Sequence, residues 1–273
     1  MDPYVPQLNF VYPDKPDERM FVVKVKRKAI VDEHYPFLNK SFRFRFMRGF
    51  IYFAIYLLAF IFIWVRLGLK IEGREILRKH RKLLKNGAMT VSNHVHRWDF
   101  LCILKAIRYR SMYFPAWKGN LDGPDGNLIR YTGGIPIPEE IRTISYFNKA
   151  FDEIREKKKW IHAYAEGCMF PYYQPIRPFK KGVFSMAHRY NLPILPLAFS
   201  YRKPNIPYSL VNLYRSIMGK QKLPMITLRI GEPLLIDPNL PRKEAVQKIR
   251  KECHEAIVRL AGIGNNQYPA EGD

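Results

Sequence analysis

Apolar positions along the chain first form one long unbroken run, then break into short apolar bursts separated by amphipathic stretches. The run is GFIYFAIYLLAFIFIWV, Gly49 to Val65, 17 residues without a charge. As a helix it is about 25 Å long, against roughly 30 Å for a hydrocarbon core. If Arg66 snorkels, the apolar stretch extends through Leu69. Aromatic and aliphatic residues cover every face, so the pattern predicts a membrane-embedded helix over 47–67 rather than a buried helix with one polar stripe. Lys40, Arg43, Arg45 and Arg48 precede the run, and Arg66, Lys70, Arg74 and Arg78 follow it. Positive charge on both flanks leaves two arrangements open. One is a single crossing; the other is a helix held in one leaflet with both ends cytoplasmic.

Downstream, strand-like and helix-like patterns alternate. Ala88–Asn93, Ser111–Trp117, Trp160–Gly167, Leu192–Tyr201 and Pro224–Leu234 read as strands. Trp98–Tyr109, Glu139–Lys158, Gly182–Tyr190 and Arg242–Gly262 read as helices, the last stopped by Gly262 or Gly264. Such alternation predicts an α/β fold, a layered mixed sheet flanked by helices, with loops gathered at the strand ends. The domain is placed at 68–264. Residues 1–46 carry five prolines and one β-like run, Met20–Lys26, and read as a basic amino-terminal extension. MDPYVPQLNF does not resemble a signal peptide, and 265–273 is expected to be a disordered tail.

Charge changes the picture. In 273 residues, 46 Lys+Arg stand against 24 Asp+Glu, a formal net charge of +22. An excess of that size calls for a large anionic partner, a membrane surface or nucleic acid. No helix-turn-helix, RNP, KH-like or zinc-finger pattern is present, and an all-round apolar helix does not suit a nucleic-acid binder, so the partner expected is an anionic membrane surface and no nucleic acid. Cys102, Cys168 and Cys253 form no CxxC pair and suggest reduced thiols facing a cytosol.

Candidate chemistry concentrates in SNHVHRWD, Ser92–Asp99. His94-x-His96-x-x-Asp99 approaches the HxHxDH pattern of binuclear metallohydrolases, but the aspartate falls one position late and Phe100 stands where a ligand should follow. No metal is expected. The alternative is proton transfer. Five positions apart on a continuous helix, His94 and Asp99 would point roughly 140° apart. On a loop turning into a helix they converge, Asp99 fixes one imidazole nitrogen, and the other is free to take a proton. A structural histidine with Asp99 as helix cap is the plainer alternative.

Four segments carry a resemblance. Asn93-His94-x4-Asp99 resembles the first motif of the glycerolipid acyltransferase family, which includes the 1-acyl-sn-glycerol-3-phosphate (lysophosphatidate) acyltransferases. GGIPIP (Gly133–Pro138) falls where that family has its second block. AEGCMF (Ala165–Phe170) with Phe179-Lys180-Lys181-Gly182 is similar to the third, and LPILPL (Leu192–Leu197) to the fourth. The resemblance implies O-acyl transfer from acyl-CoA or acyl-carrier protein to the free hydroxyl of a lysophospholipid, with no cofactor. It implies His94 as base, Asp99 as its orienting partner, and Glu166 and Gly167 shaping the acceptor site. Lys180 and Lys181 would lie near anionic headgroup or donor phosphates.

Two departures stand out. The arginines that the family often carries in its second and third blocks are replaced here by Pro136-Ile137-Pro138-Glu139 and by Cys168-Met169. Arg130, Arg177, Lys118 and Lys180 are the candidate substitutes for phosphate contact. The expected location is the cell membrane, with the catalytic domain on the cytoplasmic side. A catalytically silent membrane scaffold of the same fold is the remaining competitor.

Overall fold

A computed structural model describes residues 4–26 and 28–270, apart from the side chain of Phe60. In chain order the elements begin with α1 (Phe42–Leu67), β1 (Lys70–Glu72), α2 (Arg74–Lys79), α3 (Arg81–Leu84), β2 (Met89–Ser92), α4 (Asp99–Ala106) and β3 (Met112–Ala116). Then come α5 (Lys118–Asp122), α6 (Gly126–Thr132), β4 (Gly134–Pro136), a 3₁₀ turn (Ile141–Thr143), α7 (Ile144–Glu156) and β5 (Trp160–Tyr164). The chain continues through α8 (Lys181–Arg189), β6 (Ile194–Arg202), α9 (Ile206–Ile217), β7 (Met225–Ile230) and α10 (Arg242–Ala261).

The strands form one seven-stranded sheet in the order β1-β7-β6-β2-β5-β3-β4. All neighbouring pairs are parallel except β6 and β7, so the sheet is mixed, as the alternating pattern predicts. β2 is buried at every position, which is why its apolar burst shows no alternation with polar residues. Successive side chains leave opposite faces. Leu195, Leu197, Phe199 and Tyr201 of β6 join a core with Ile63 and Leu67 of α1 and Leu101 and Leu104 of α4. Ile194 and Ala198 meet Phe151 of α7, Phe184 of α8 and Ile249 and Ile257 of α10 on the other face. Helices therefore cover both sides, and the C-terminal ends of β2 and β5 open together toward the loops that carry SNHVHRWD and AEGCMF.

Helix ends follow local chemistry. Ser41 caps α1 by accepting from the Phe44 N–H at 3.3 Å, and Gly68 ends it in a left-handed conformation. Gly262, with φ of 78°, stops α10.

The apolar run behaves differently from its composition. α1 bends by 51° between Phe42–Ala59 and Ile61–Leu67; no single helix among the described residues is long and apolar enough to cross a membrane, although this bent pair passes that test together. Among the described side chains of α1, only one stripe, Ala59, Ile63 and Leu67, is buried. Tyr56 and Phe62 meet Tyr109 and Trp98 edge-on, while Phe50, Phe53, Leu57, Ile61 and Trp64 remain exposed.

The extension also differs from its reading. Met20–Lys26 joins no strand. Residues 9–26 and 28–37 instead lie across the domain: Tyr12 donates to the Pro171 carbonyl at 2.7 Å, Arg19 stacks over Trp117, and Lys26 N–H and Ala29 N–H donate to Asp122. Residues 265–270, read as the start of a disordered tail, lie against the 173–176 loop, where Asn266 exchanges hydrogen bonds with both backbone groups of Ile176. Residues 271–273 fall outside the described residues.

Candidate active site

β2 ends at Ser92, and Asn93 then locks the exit of the strand to β6. Its side-chain amide donates to the Phe199 carbonyl at 3.1 Å, and its oxygen accepts from the Phe199 N–H at 2.8 Å. This clamp fixes where His94 leaves the sheet. Five residues after His94, α4 begins at Asp99, whose side chain is fully buried and turns back over the loop. One carboxylate oxygen, Oδ2, accepts from the His94 Nδ1 at 3.0 Å, from the Val95 N–H at 2.8 Å and from the His96 N–H at 2.9 Å. A carboxylate in the first turn of a helix also gains from the positive end of the helix dipole. The loop-to-helix turn thus brings the two residues together, where a continuous helix would have parted them.

Nδ1 of His94 bonded to a carboxylate carries the hydrogen, which leaves Nε2 as the unprotonated nitrogen. The His94 side chain keeps 21% of its surface exposed while Asp99 keeps none, so the ring joins a buried acceptor to the surface. Its face stacks on Tyr164 of β5, with ring centroids 3.8 Å apart and planes within 15°. Tyr164 in turn meets His162 edge-on at 4.4 Å. Burial, then the charge of His94, pushes His162 down to about 3, and Thr90 Oγ1 lies 2.9 Å from its Nδ1. The stack therefore places a neutral, apolar wall behind His94.

His96 is not equivalent to His94. Its Nδ1 accepts from the Trp98 N–H at 3.2 Å, which fixes the Nε2–H tautomer. Burial pushes its imidazole down to about 4, with Asp99 acting in the opposite direction and Arg66 with it. His96 is a buried, neutral group that shapes the loop. Among the described residues no three His, Cys, Asp or Glu side chains converge in a manner that would hold a metal ion.

The third block closes over this loop. Glu166 is buried; its Oε2 accepts from the His94 N–H at 3.0 Å, and its Oε1 from the Arg177 N–H at 2.9 Å. The Arg177 guanidinium completes the pair at 2.9 Å, donates to the Pro16 and Cys168 carbonyls, and lies over the Phe170 ring at 3.8 Å. Phe170 N–H and Tyr172 N–H donate to the His94 and Val95 carbonyls, zipping the two loops together. Glu166 is thus aimed at the backbone of His94, and Arg177 is consumed by Glu166 and 1% exposed, closed to any phosphate. Gly167 sits in a turn with φ of 79°, exposed, with Lys180 beside it.

The other basic candidates are spread out. Lys180 precedes α8 and pairs with Asp17 at 3.1 Å; Lys181 is the first residue of that helix. Lys118 is flanked by Asp122 at 3.7 Å and Glu139 at 3.8 Å. Arg130 lines a separate cavity of 260 Å³ with Arg45, Arg48 and Tyr35. β4, which follows it, is three strand spacings from β2, roughly 14 Å across the sheet. The glycines of the second block have a packing reason: a Cβ on Gly133 would lie 2.2 Å from the Met112 carbonyl oxygen, and φ there is 111°.

Two arginines outside the sequence candidates carry positive charge toward the site. Arg66, at the end of α1, acts on both His96 and Tyr172, and Arg215 of α9 acts on Tyr172. The Tyr208 hydroxyl holds the two helices together by donating to the Arg66 carbonyl at 3.0 Å. Tyr172 is 5.6 Å from His96 ring to ring. Charge at a helix end beside an apolar run hinted at Arg66 in the sequence; nothing there pointed to Arg215 or Tyr164.

Comparisons with known proteins bear on the fold and on residues 68–200. Residues 68–200, which hold all four blocks, match the Acyltransferase family. No curated protein sequence matches the chain. Among solved structures, the fold is similar to the crystal structure of the 1-acyl-sn-glycerophosphate (LPA) acyltransferase PlsC from Thermotoga maritima, with a TM-score of 0.54 and 18% identity over 84% of this chain and 86% of that one. Residues 68–200 are therefore similar to the Acyltransferase family, and the fold that carries them is similar to that of the Thermotoga maritima enzyme.

Proposed function

We propose that the protein moves a fatty acyl group from acyl-CoA or acyl-carrier protein to the free hydroxyl of a lysophospholipid, with lysophosphatidate as first acceptor, at the surface of an anionic membrane. The observation that carries this reading is the 3.0 Å contact between His94 Nδ1 and a fully buried Asp99 Oδ2, with the His94 ring 21% exposed. Nε2 of His94 takes the proton of the acceptor hydroxyl as its oxygen attacks the thioester carbonyl. The tetrahedral intermediate then expels the thiolate, which recovers that proton from Nε2. Asp99 stabilises the imidazolium formed between the two steps. No acyl-enzyme is formed.

Glu166 acts as a positioning residue, holding the His94 backbone. Arg66 and Arg215 stand in for the arginines missing from the second and third blocks and receive the acceptor phosphate. Lys180 and Lys181 serve the anionic headgroup or the donor phosphates. The domain of 68–264 works on the cytoplasmic side of the cell membrane, attached through α1, whose outer face is apolar and exposed. The absence of block arginines also favours a second acceptor class, a lysolipid without a terminal phosphate monoester. The test is incubation of purified protein with a panel of lysolipids and both thioester donors, read by mass spectrometry. Diacyl product from lysophosphatidate supports the reading; product from no lysolipid with either donor refutes it.

A further inference from the structure

α9 leaves the domain with a face that the fold does not cover. Its inner side is anchored: Tyr208 bonds the Arg66 carbonyl, and Asn212 holds both backbone groups of Leu223, at 2.9 and 3.0 Å. Its outer side carries Ile206, Leu210, Leu213, Tyr214 and Ile217, exposed by 84%, 64%, 56%, 64% and 75%. These positions fall at i, i+4, i+7, i+8 and i+11, one continuous stripe on an α-helix. Contiguous exposed apolar surface of this kind marks an interaction site.

Charge identifies the partner. From Gly167 to Gly231 the sequence contains no Asp or Glu, while Arg202, Lys203, Lys220 and Lys222 border the helix. An apolar stripe edged by lysines, in a stretch of sequence without acids, matches a lipid leaflet bearing negative headgroups. The surface is also continuous with another. α9 packs beside α1, whose Phe50, Phe53, Leu57, Ile61 and Trp64 are exposed and apolar in the same way.

We infer that α9 is a second membrane-binding element, lying flat in the headgroup region of an anionic leaflet beside α1, with Ile206, Leu210, Leu213, Tyr214 and Ile217 immersed. Two attached helices hold the His94 loop near the lipid surface, where a lysolipid acceptor arrives, and no crossing of the bilayer is needed. The inference rests on the membrane-surface reading given above.

The experiment uses the full chain, in which Cys102, Cys168 and Cys253 are buried. A Leu213→Cys variant and a control, Lys243→Cys at an exposed position of α10, are labelled with an environment-sensitive fluorophore and mixed with phosphatidylcholine vesicles with and without phosphatidylglycerol. The expected result is a blue-shifted emission at 213, quenched by spin-labelled lipid and stronger with phosphatidylglycerol, and no change at 243. A variant carrying Leu210→Ser, Leu213→Ser and Ile217→Ser should bind the vesicles roughly tenfold or more weakly. The same variant should keep wild-type acyl transfer on lysolipid dispersed in detergent. An unchanged signal at 213 with vesicles overturns the inference, and so does a lipid-free blue shift that rises with protein concentration alongside a dimer mass, which assigns the face to a second copy. If the wild-type chain transfers no acyl group in detergent, the catalytic reading fails, while the labelling result still decides the role of α9.

Discussion

Replacing Asp99 by Asn removes one charge and keeps the shape. Oδ2 accepts from two backbone N–H groups as well as from His94, and both demand an oxygen. The amide oxygen of Asn must therefore take the Oδ2 position, and the His94 tautomer is preserved. What disappears is the negative charge facing the imidazolium that forms when His94 takes a proton. With Nδ1 and Oδ2 3.0 Å apart, the charge centres lie about 4 Å apart, which at an effective dielectric of about 20 corresponds to about 4 kcal/mol. Expressed in the barrier, that is a loss of roughly 10³-fold in turnover. The amide NH₂ lands at Oδ1, already buried without a hydrogen-bond partner, and adds a stability cost of about 1–3 kcal/mol. Thermal unfolding reads that cost separately. The assay is thiol release from acyl-CoA with lysophosphatidate, run well below both unfolding transitions. Asp99→Asn turnover within tenfold of wild type would refute the idea that this charge stabilises an imidazolium.

Other outcomes follow from the same geometry. His96→Asn should retain most turnover and lower stability, whereas a loss matching that of a His94 variant would make His96 the base. Breaking the buried Glu166–Arg177 pair with Arg177→Met should destabilise the fold by about 3–5 kcal/mol, measured by denaturant unfolding, because Glu166 is left charged and buried. A phosphate-contact role for Arg177 would instead raise KM with unfolding unchanged. Arg66→Ala should raise KM for lysophosphatidate well above its effect on a lysolipid lacking the phosphate monoester; equal effects on both would remove Arg66 from acceptor recognition. His96 and His162 are held at about 4 and about 3 in the folded protein. Below about pH 6.5 the unfolded chain binds protons there that the folded chain does not, so stability falls as pH falls. Between pH 7 and pH 5 the two histidines should cost about 4 kcal/mol, read from urea midpoints; a flat profile would contradict their buried, neutral state.

The sheet and its covering helices were legible because most carry a clear period or a buried apolar burst. β2, α4 and α10 fall within two or three residues of their patterns, and Gly262 stops α10 as its sequence suggests. α9 was not legible. No element is read over 203–223, where Pro204 and Pro207 interrupt the pattern, yet Asn205 caps a helix by accepting from Tyr208 N–H at 3.1 Å, and Pro207 falls in the first turn, where its missing N–H costs nothing. α1 shows the reverse problem: composition reports an apolar helix, but not that one stripe of it lies against α4 and α6. In the site, the His94–Asp99 meeting followed from a loop turning into a helix. The Glu166–Arg177 pair did not, since nothing local says that a charge eleven positions away will be buried against the block rather than offered to substrate. Tyr164 was hidden for a similar reason; its stacking on His94 depends on β5 lying beside β2.

The central claim is that His94 acts as a general base, with direct transfer from thioester to acceptor. Its most direct test is a comparison of wild type and His94→Ala during turnover with acyl-CoA and lysophosphatidate, following diacyl product and the intact mass of the quenched protein together. The account predicts product from wild type only, and an unacylated protein mass in both. Product from His94→Ala at the wild-type rate, or a wild-type protein carrying one acyl group during turnover, would contradict it.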